Sequence, residues 1–234
     1  MENKKVNKET KKEFSFKEYL KNFLKFIAEN LEKTTLVLIV IAILLLAVTL
    51  KFAIETVSSP DYTGYVTQAS VGLFQSYGEN ISILLVSAFA GIVPYLYAPV
   101  VGFLGYVLSE VETYALIIKE FGFITGTLIN IIPLLINILS VSVITALGIY
   151  ICRTVTVGYK MSSIKNMNFL NFRIKLYEAI NKPKLVEKLT KKKEEKLNKL
   201  ESKKRKIEYL QILNVAVIVL VLQFISSMIQ YFII

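Results

Sequence analysis

Histidine is absent from the chain, and cysteine occurs once, at Cys152. No disulfide can close within it, and neither a His-based nor a multi-Cys metal site can be assembled. Proline occurs five times and glycine ten times in 234 residues. Neither recurs after Pro183, so no strong helix breaker stands between there and the end. Charge is missing from the centres of the apolar blocks. Lys51 and Glu55 sit at the end of the first, and Glu110, Glu112, Lys119 and Glu120 are placed in the connection between the second and third. A proton-coupled transporter or intramembrane protease usually carries an ionisable group inside the membrane, so this pattern lowers both readings. With no nucleophile, general base or metal set in view, the expectation is no enzymatic activity, no catalytic residue, no metal and no cofactor.

Hydrophobic residues make up 54 % of the chain, gathered into long blocks, which is the composition of an integral membrane protein. The run LVLIVIAILLLAVTL at Leu36 to Leu50, with its flanks, is long enough to cross a bilayer core, and Leu210 to Ile234 is a second such block. Between them, Asn80 to Leu108 and Phe121 to Cys152 are apolar but interrupted by Gly, Pro and Asn. A cleaved signal peptide is not expected, because a polar segment precedes the first apolar run and no small-residue cleavage site follows it.

The first 33 residues hold nine Lys against six Glu, and Arg153 to Glu208 hold seventeen Lys or Arg against six Glu. Lys and Arg accumulate on cytoplasmic loops, which places both segments inside and the protein in the cell membrane. Binding to nucleic acid is not expected, since Glu interleaves the Lys and aromatics for base stacking are nearly absent from Lys182 to Lys206. With both basic segments on one side, the crossings before Arg153 must be even in number. Five helices satisfy this, at about 34–54, 80–97, 99–118, 121–152 and 209–234, with an external loop at 55–79 and the C-terminus outside. The expected fold is thus an all-α polytopic bundle with short Pro- and Gly-broken helices in the middle. An equal parity results from one crossing in Asn80 to Ile118 and a re-entrant hairpin at Pro133.

The stretch GIVPYLYAPVVGFLG, with Gly91, Pro94, Pro99, Gly102 and Gly105, reads as the turn between two short helices. Asn130 and Asn137 share a face if their helix is continuous, and Pro133 between them frees a carbonyl that Asn or Ser can satisfy. Interhelical hydrogen bonding is the simpler role for these amides, and a polar path the sharper one. Gly122 and Gly126 have GxxxG spacing, which favours close packing within the chain over pairing with a second copy. Residues 13–33 space Phe16, Leu20, Phe23, Leu24, Ile27 and Leu31 as an amphipathic helix that either lies in a lipid interface or packs on other helices. Lys184 to Glu208 forms a Lys-rich cytoplasmic helix starting at Pro183, about 75 Å long if it runs straight into the last span. Its thin apolar stripe is either a coiled-coil seam for a partner or a face resting on the protein's own Arg153 to Asn181 segment, and Lys193 and Lys204, which interrupt it, favour the second.

This order of features resembles the stage II sporulation protein M family over roughly residues 34–234. It comprises a first span, an external loop, the Asn80-headed block NISILLVSAFAGIVPYLYAPVVGFLG, the block IIPLLINILSVSVITALG from Pro133 to Gly148, a basic stretch and a last span. The matching positions are Asn80, Gly91, Pro133 and Gly148. Many members follow that proline with His-Gly and a later Glu. Here Leu134, Leu135 and Ile138 stand in those places, and nothing that depends on the His and Glu is carried over. The resemblance implies a non-enzymatic membrane scaffold that anchors membrane or envelope proteins during cell-envelope remodelling. The competing expectation, from the Pro-broken helices, is a channel or permease component. Membrane lipid is the expected surrounding, and a second copy of the chain is a further partner to test.

Overall fold

A computed structural model describes residues 16–59, 73–89, 98–166, 169–203 and 207–233. Among them the regular structure is all helical: α1 (Phe16–Asn30), α2 (Glu32–Val57), α3 (Leu73–Phe89), α4 (Ala98–Phe121), α5 (Phe123–Asn166), α6 (Phe169–Ala179), α7 (Pro183–Glu201) and α8 (Tyr209–Ile233). Four helices, α2, α4, α8 and the one starting at Phe123, are long and apolar enough to cross a membrane. α3, at 17 residues, lies at the short end of what a crossing needs.

Side-chain pairs fix the directions. Tyr114 meets Thr127 at 2.7 Å, and Asn137 meets Glu110 at 3.0 Å. Numbering thus falls along α4 as it rises along α5, and the two form an antiparallel hairpin. Asn137 with Gln223 and Pro133 with Ser226 make α5 and α8 antiparallel in the same way. The Lys119 ammonium donates to the Val57 carbonyl, so the C-terminal ends of α2 and α4 share one end of the bundle. At the other end Asn30, Pro99, Arg153 and Lys203 line one cleft. The described residues Asn30, from the first basic segment, and Arg153 and Lys203, from the second, therefore lie at one end of the molecule. Between Val57 and Ala98 the chain must return along the bundle, and α3 is the described part of that return.

The exposure pattern is inverted relative to a water-soluble fold. Leu128 is 71 % and Val48 66 % exposed, whereas Asn137 and Gln223 are 0 % exposed. Apolar surface outward with polar groups inward is the arrangement a lipid solvent permits.

Several expectations need correction. The connection between the middle blocks is a single residue, Gly122, with φ +79°, a left-handed conformation that glycine adopts without steric cost. α4 therefore runs on through Glu110 and Glu112 to Phe121. Gly122 acts as a helix stop and not as half of a packing motif. Gly126 does pack: a Cβ there would lie 3.0 Å from the Ile117 carbonyl oxygen in the same chain. α5 passes through Pro133 unbroken for 44 residues, about 66 Å, which removes the re-entrant alternative and carries the helix well past Cys152. Finally, α7 ends at Glu201 and α8 begins at Tyr209, with 207–208 outside any helix, so there is no straight helix of about 75 Å.

At the basic end, one face of α1 packs on the bundle. Phe23 and Phe26 are buried, Phe26 stacking edge-on to Tyr150 at 5.3 Å, while Phe16, Leu20 and Leu24 are exposed. α6 turns into α7 through Asn181 at φ 53°, where Lys182 N–H bonds Tyr177 O and Asn181 N–H bonds Glu178 O, the paired bonds of a left-handed helix cap. Pro183 then starts α7 as expected. α7 packs on α6 and α5 but buries none of its residues, and Leu185 of its stripe is 40 % exposed.

Candidate functional site

The polar groups of the core converge where α4, α5 and α8 meet. Glu110, near the middle of α4, is 7 % exposed and faces α5. Asn137 sends one amide nitrogen to both of its carboxyl oxygens, at 3.0 and 3.1 Å. The Asn137 oxygen accepts from Gln223 Nε2 at 3.3 Å, and the Gln223 oxygen accepts from the Tyr106 hydroxyl at 3.5 Å. Tyr106 precedes Glu110 by one turn on the same face of α4. Both amide orientations follow from this chain of donors, and every donor in it points towards Glu110. The carboxyl group is the terminal acceptor.

Around this relay runs a seam of further polar groups. On α8, Gln223, Ser226, Ser227 and Gln230 recur at i, i+3, i+4 and i+7, one stripe of the helix. On α5 they face Asn130, Pro133 and Asn137, and Ser226 Oγ donates to the Pro133 carbonyl at 3.4 Å. Among the described residues, both amide atoms of Asn130, the Ser227 hydroxyl and Gln230 Oε1 are buried without a hydrogen-bond partner, as are the hydroxyls of Ser140, Ser142 and Thr145 further along α5. Each such group costs about 1–3 kcal/mol unless water or an ion reaches it. A core with this many of them is a poor solution for packing alone.

No Lys or Arg pairs with Glu110 among the described residues, which do include the exposed Lys51–Glu55 pair expected from its i, i+4 spacing. In a core surrounded by lipid, an uncompensated carboxylate costs several kcal/mol. A proton or a small cation is what neutralises it there. Among the described residues no group of three or more His, Cys, Asp or Glu could hold a metal.

Of the residues singled out from sequence, Asn130, Pro133 and Asn137 belong to the seam, although Asn130 does not satisfy the carbonyl that Pro133 frees. Pro99 is buried in the first turn of α4, Gly148 is buried in α5, and Asn80 is partly exposed on α3. Gly102 is partly buried and Gly105 faces open space. Gly91 and Pro94 lie outside the described residues, as does the turn expected there. Glu110 had been seen but assigned to a connection, so the reading that charge is missing from the centres of the apolar helices is wrong at that residue. Tyr106, Gln223, Ser226, Ser227 and Gln230 were missed. A polar stripe at helical spacing within Leu210 to Ile234 was the available signal for the last four.

Comparison of the chain with family models, curated proteins and solved structures finds no match.

Proposed function

We propose that this chain is the channel or permease component of a transport system, in which Glu110 binds a proton or small cation within the seam between α4, α5 and α8. One observation carries the reading: Glu110 is a buried carboxylate at mid-helix, held as the terminal acceptor of a hydrogen-bond relay and facing no basic partner. Intramembrane ionisable residues of this kind mark ion pathways and proton relays. The scaffold expectation leaned on the absence of such a group, and its presence shifts the balance towards transport. In this reading the protein crosses the cell membrane five times, with α3 as a short crossing.

The test uses proteoliposomes carrying a pH-sensitive dye or a sodium or potassium indicator, driven by an imposed potential. The intact protein is expected to raise the flux of one of these ions above that of protein-free vesicles, and Glu110→Gln to cut that increment at least tenfold. Equal rates with and without protein, for all three ions, overturn the reading.

The orientation proposed, N-terminus in the cytoplasm and C-terminus outside, is supported by the charge distribution. Cys152 is buried, so its background reactivity is low. A cysteine introduced at the exposed Ser59 is expected to react with an impermeant maleimide in intact cells. Labelling only after permeabilisation reverses the orientation.

The scaffold reading keeps one observation of its own. The α6–α7 arm exposes Phe172, Leu176 and Ile180 along one face of its first helix, at 63, 47 and 49 %, a surface that suits a protein partner as well as a lipid interface. The resemblance to the stage II sporulation protein M family points the same way, towards envelope proteins as partners. Crosslinking in native membranes that recovers a stoichiometric second protein supports it, and recovery of this chain alone counts against it.

A further inference from the structure

At the basic end of the bundle a cleft of about 600 Å³ opens between four segments of the chain. Arg153 and Lys160, two turns apart on α5, reach it from one wall, and Lys203, just beyond α7, from another. Thr156 adds a hydroxyl, whereas that of Thr154 donates to the Tyr150 carbonyl at 2.9 Å, and no acidic side chain lines the cleft among the described residues. Neither Arg153 nor Lys203 makes an ion pair among the described residues. The first turn of α4, at Pro99 and Val100, forms part of the same wall, so the positive end of a 24-residue helix adds to the field. The deeper wall is apolar, with Ile149 and Val157 beside the buried Tyr150.

Three cations and one hydroxyl over an apolar wall select an anion that carries a hydrophobic body. Arg153 follows directly on the apolar stretch that ends at Cys152, which puts the cationic rim at the depth where lipid phosphates lie. Basic pockets between helices at this level are suited to phospholipid head groups, and the volume is within the range of ligand sites. We propose that this cleft binds the phosphate of an anionic phospholipid, with Arg153 and Lys203 holding the phosphate from opposite walls and the acyl chains following the exposed apolar faces of the neighbouring helices. The site is separate from the Glu110 seam, and the proposal holds whether or not that seam carries ions.

Native mass spectrometry of the full-length protein released from nanodiscs tests it. In discs of phosphatidylglycerol mixed with phosphatidylcholine, the intact protein is expected to retain phosphatidylglycerol at least fivefold over its share of the disc. Arg153→Gln/Lys203→Gln is expected to lose that preference. Lys192→Gln/Lys199→Gln, which removes the same charge from exposed positions on α7 outside the cleft, is expected to stay within twofold of the parent. Equal loss in both double variants means diffuse charge attraction and overturns the proposal, as does retention of the two lipids in proportion to the disc. A separate arm adds inorganic phosphate or glycerol phosphate to the detergent-solubilised protein. If these bind at the cleft while phosphatidylglycerol shows no preference, the ligand is a soluble phosphate and the lipid assignment fails.

Discussion

Replacing Asn137 with leucine is expected to lower the unfolding free energy in detergent by about 3 kcal/mol. The side chain is 0 % exposed and serves two partners at once. Its nitrogen bonds both oxygens of Glu110 at 3.0 and 3.1 Å, and its oxygen accepts from Gln223 at 3.3 Å. Leucine keeps the branching of asparagine but is bulkier, so no cavity opens and the loss combines stranded polar groups with some crowding. Deleting one partner of a buried polar pair strands the other, whereas replacing both with apolar groups is often nearly neutral. Asn137→Leu/Glu110→Leu should therefore be more stable than Asn137→Leu alone, by roughly 1–3 kcal/mol of coupling. Denaturant titration followed by circular dichroism on the four members of the cycle reads this directly. Additive losses would show that the two side chains do not depend on each other.

Two glycines in the same helical hairpin are expected to respond to alanine with opposite signs. At Gly126 a Cβ would stand 3.0 Å from the Ile117 carbonyl oxygen and 3.1 Å from the Ile118 Cα. Both are backbone atoms that cannot rotate away, so α4 and α5 must separate, at a cost of about 1–3 kcal/mol for overpacking. At Gly105, inside α4, nothing lies within 4 Å of the same atom. Alanine there removes only the helix penalty of glycine and should stabilise by about 0.5–1 kcal/mol. Thermal unfolding of Gly126→Ala and Gly105→Ala in one detergent compares them. Equal shifts in the same direction would mean that the close approach of α4 and α5 at Gly122 does not hold.

Much of the architecture was legible because it depends on local chemistry. Apolar runs of about 20 residues imply helices when every backbone group must be satisfied within its own segment. The i, i+4 spacing of Lys51 and Glu55 is a property of any helix through them. Pro183 starts a helix because its missing N–H is not needed there. Helix ends were less legible. Reading Ser109 to Phe121 as a connection treats three glutamates as a signal of water, whereas the break in backbone conformation between α4 and α5 is at Gly122. Composition outweighed the glycine, and the site was misplaced as a result.

The seam shows the same division. Asn130 and Asn137 stood out as amides seven residues apart on one face, but their sequence does not say what lies opposite. Glu110 and Gln223 are 27 and 86 positions from Asn137. Their meeting depends on the antiparallel register of α4 and α8 against α5, which no local pattern encodes.

The sequence alone predicts an all-α chain built of apolar helices, with both basic segments on one side, because propensity, hydropathy and charge act residue by residue and add along the chain. Tertiary structure decided that Glu110 lies inside the bundle and not in a loop, that its partners are Asn137 and, through it, Gln223, and that Arg153 and Lys203 share a cleft. Those outcomes depend on how helices register against one another, and register is set by close packing at contacts such as Gly126 on Ile117 between segments the sequence keeps apart.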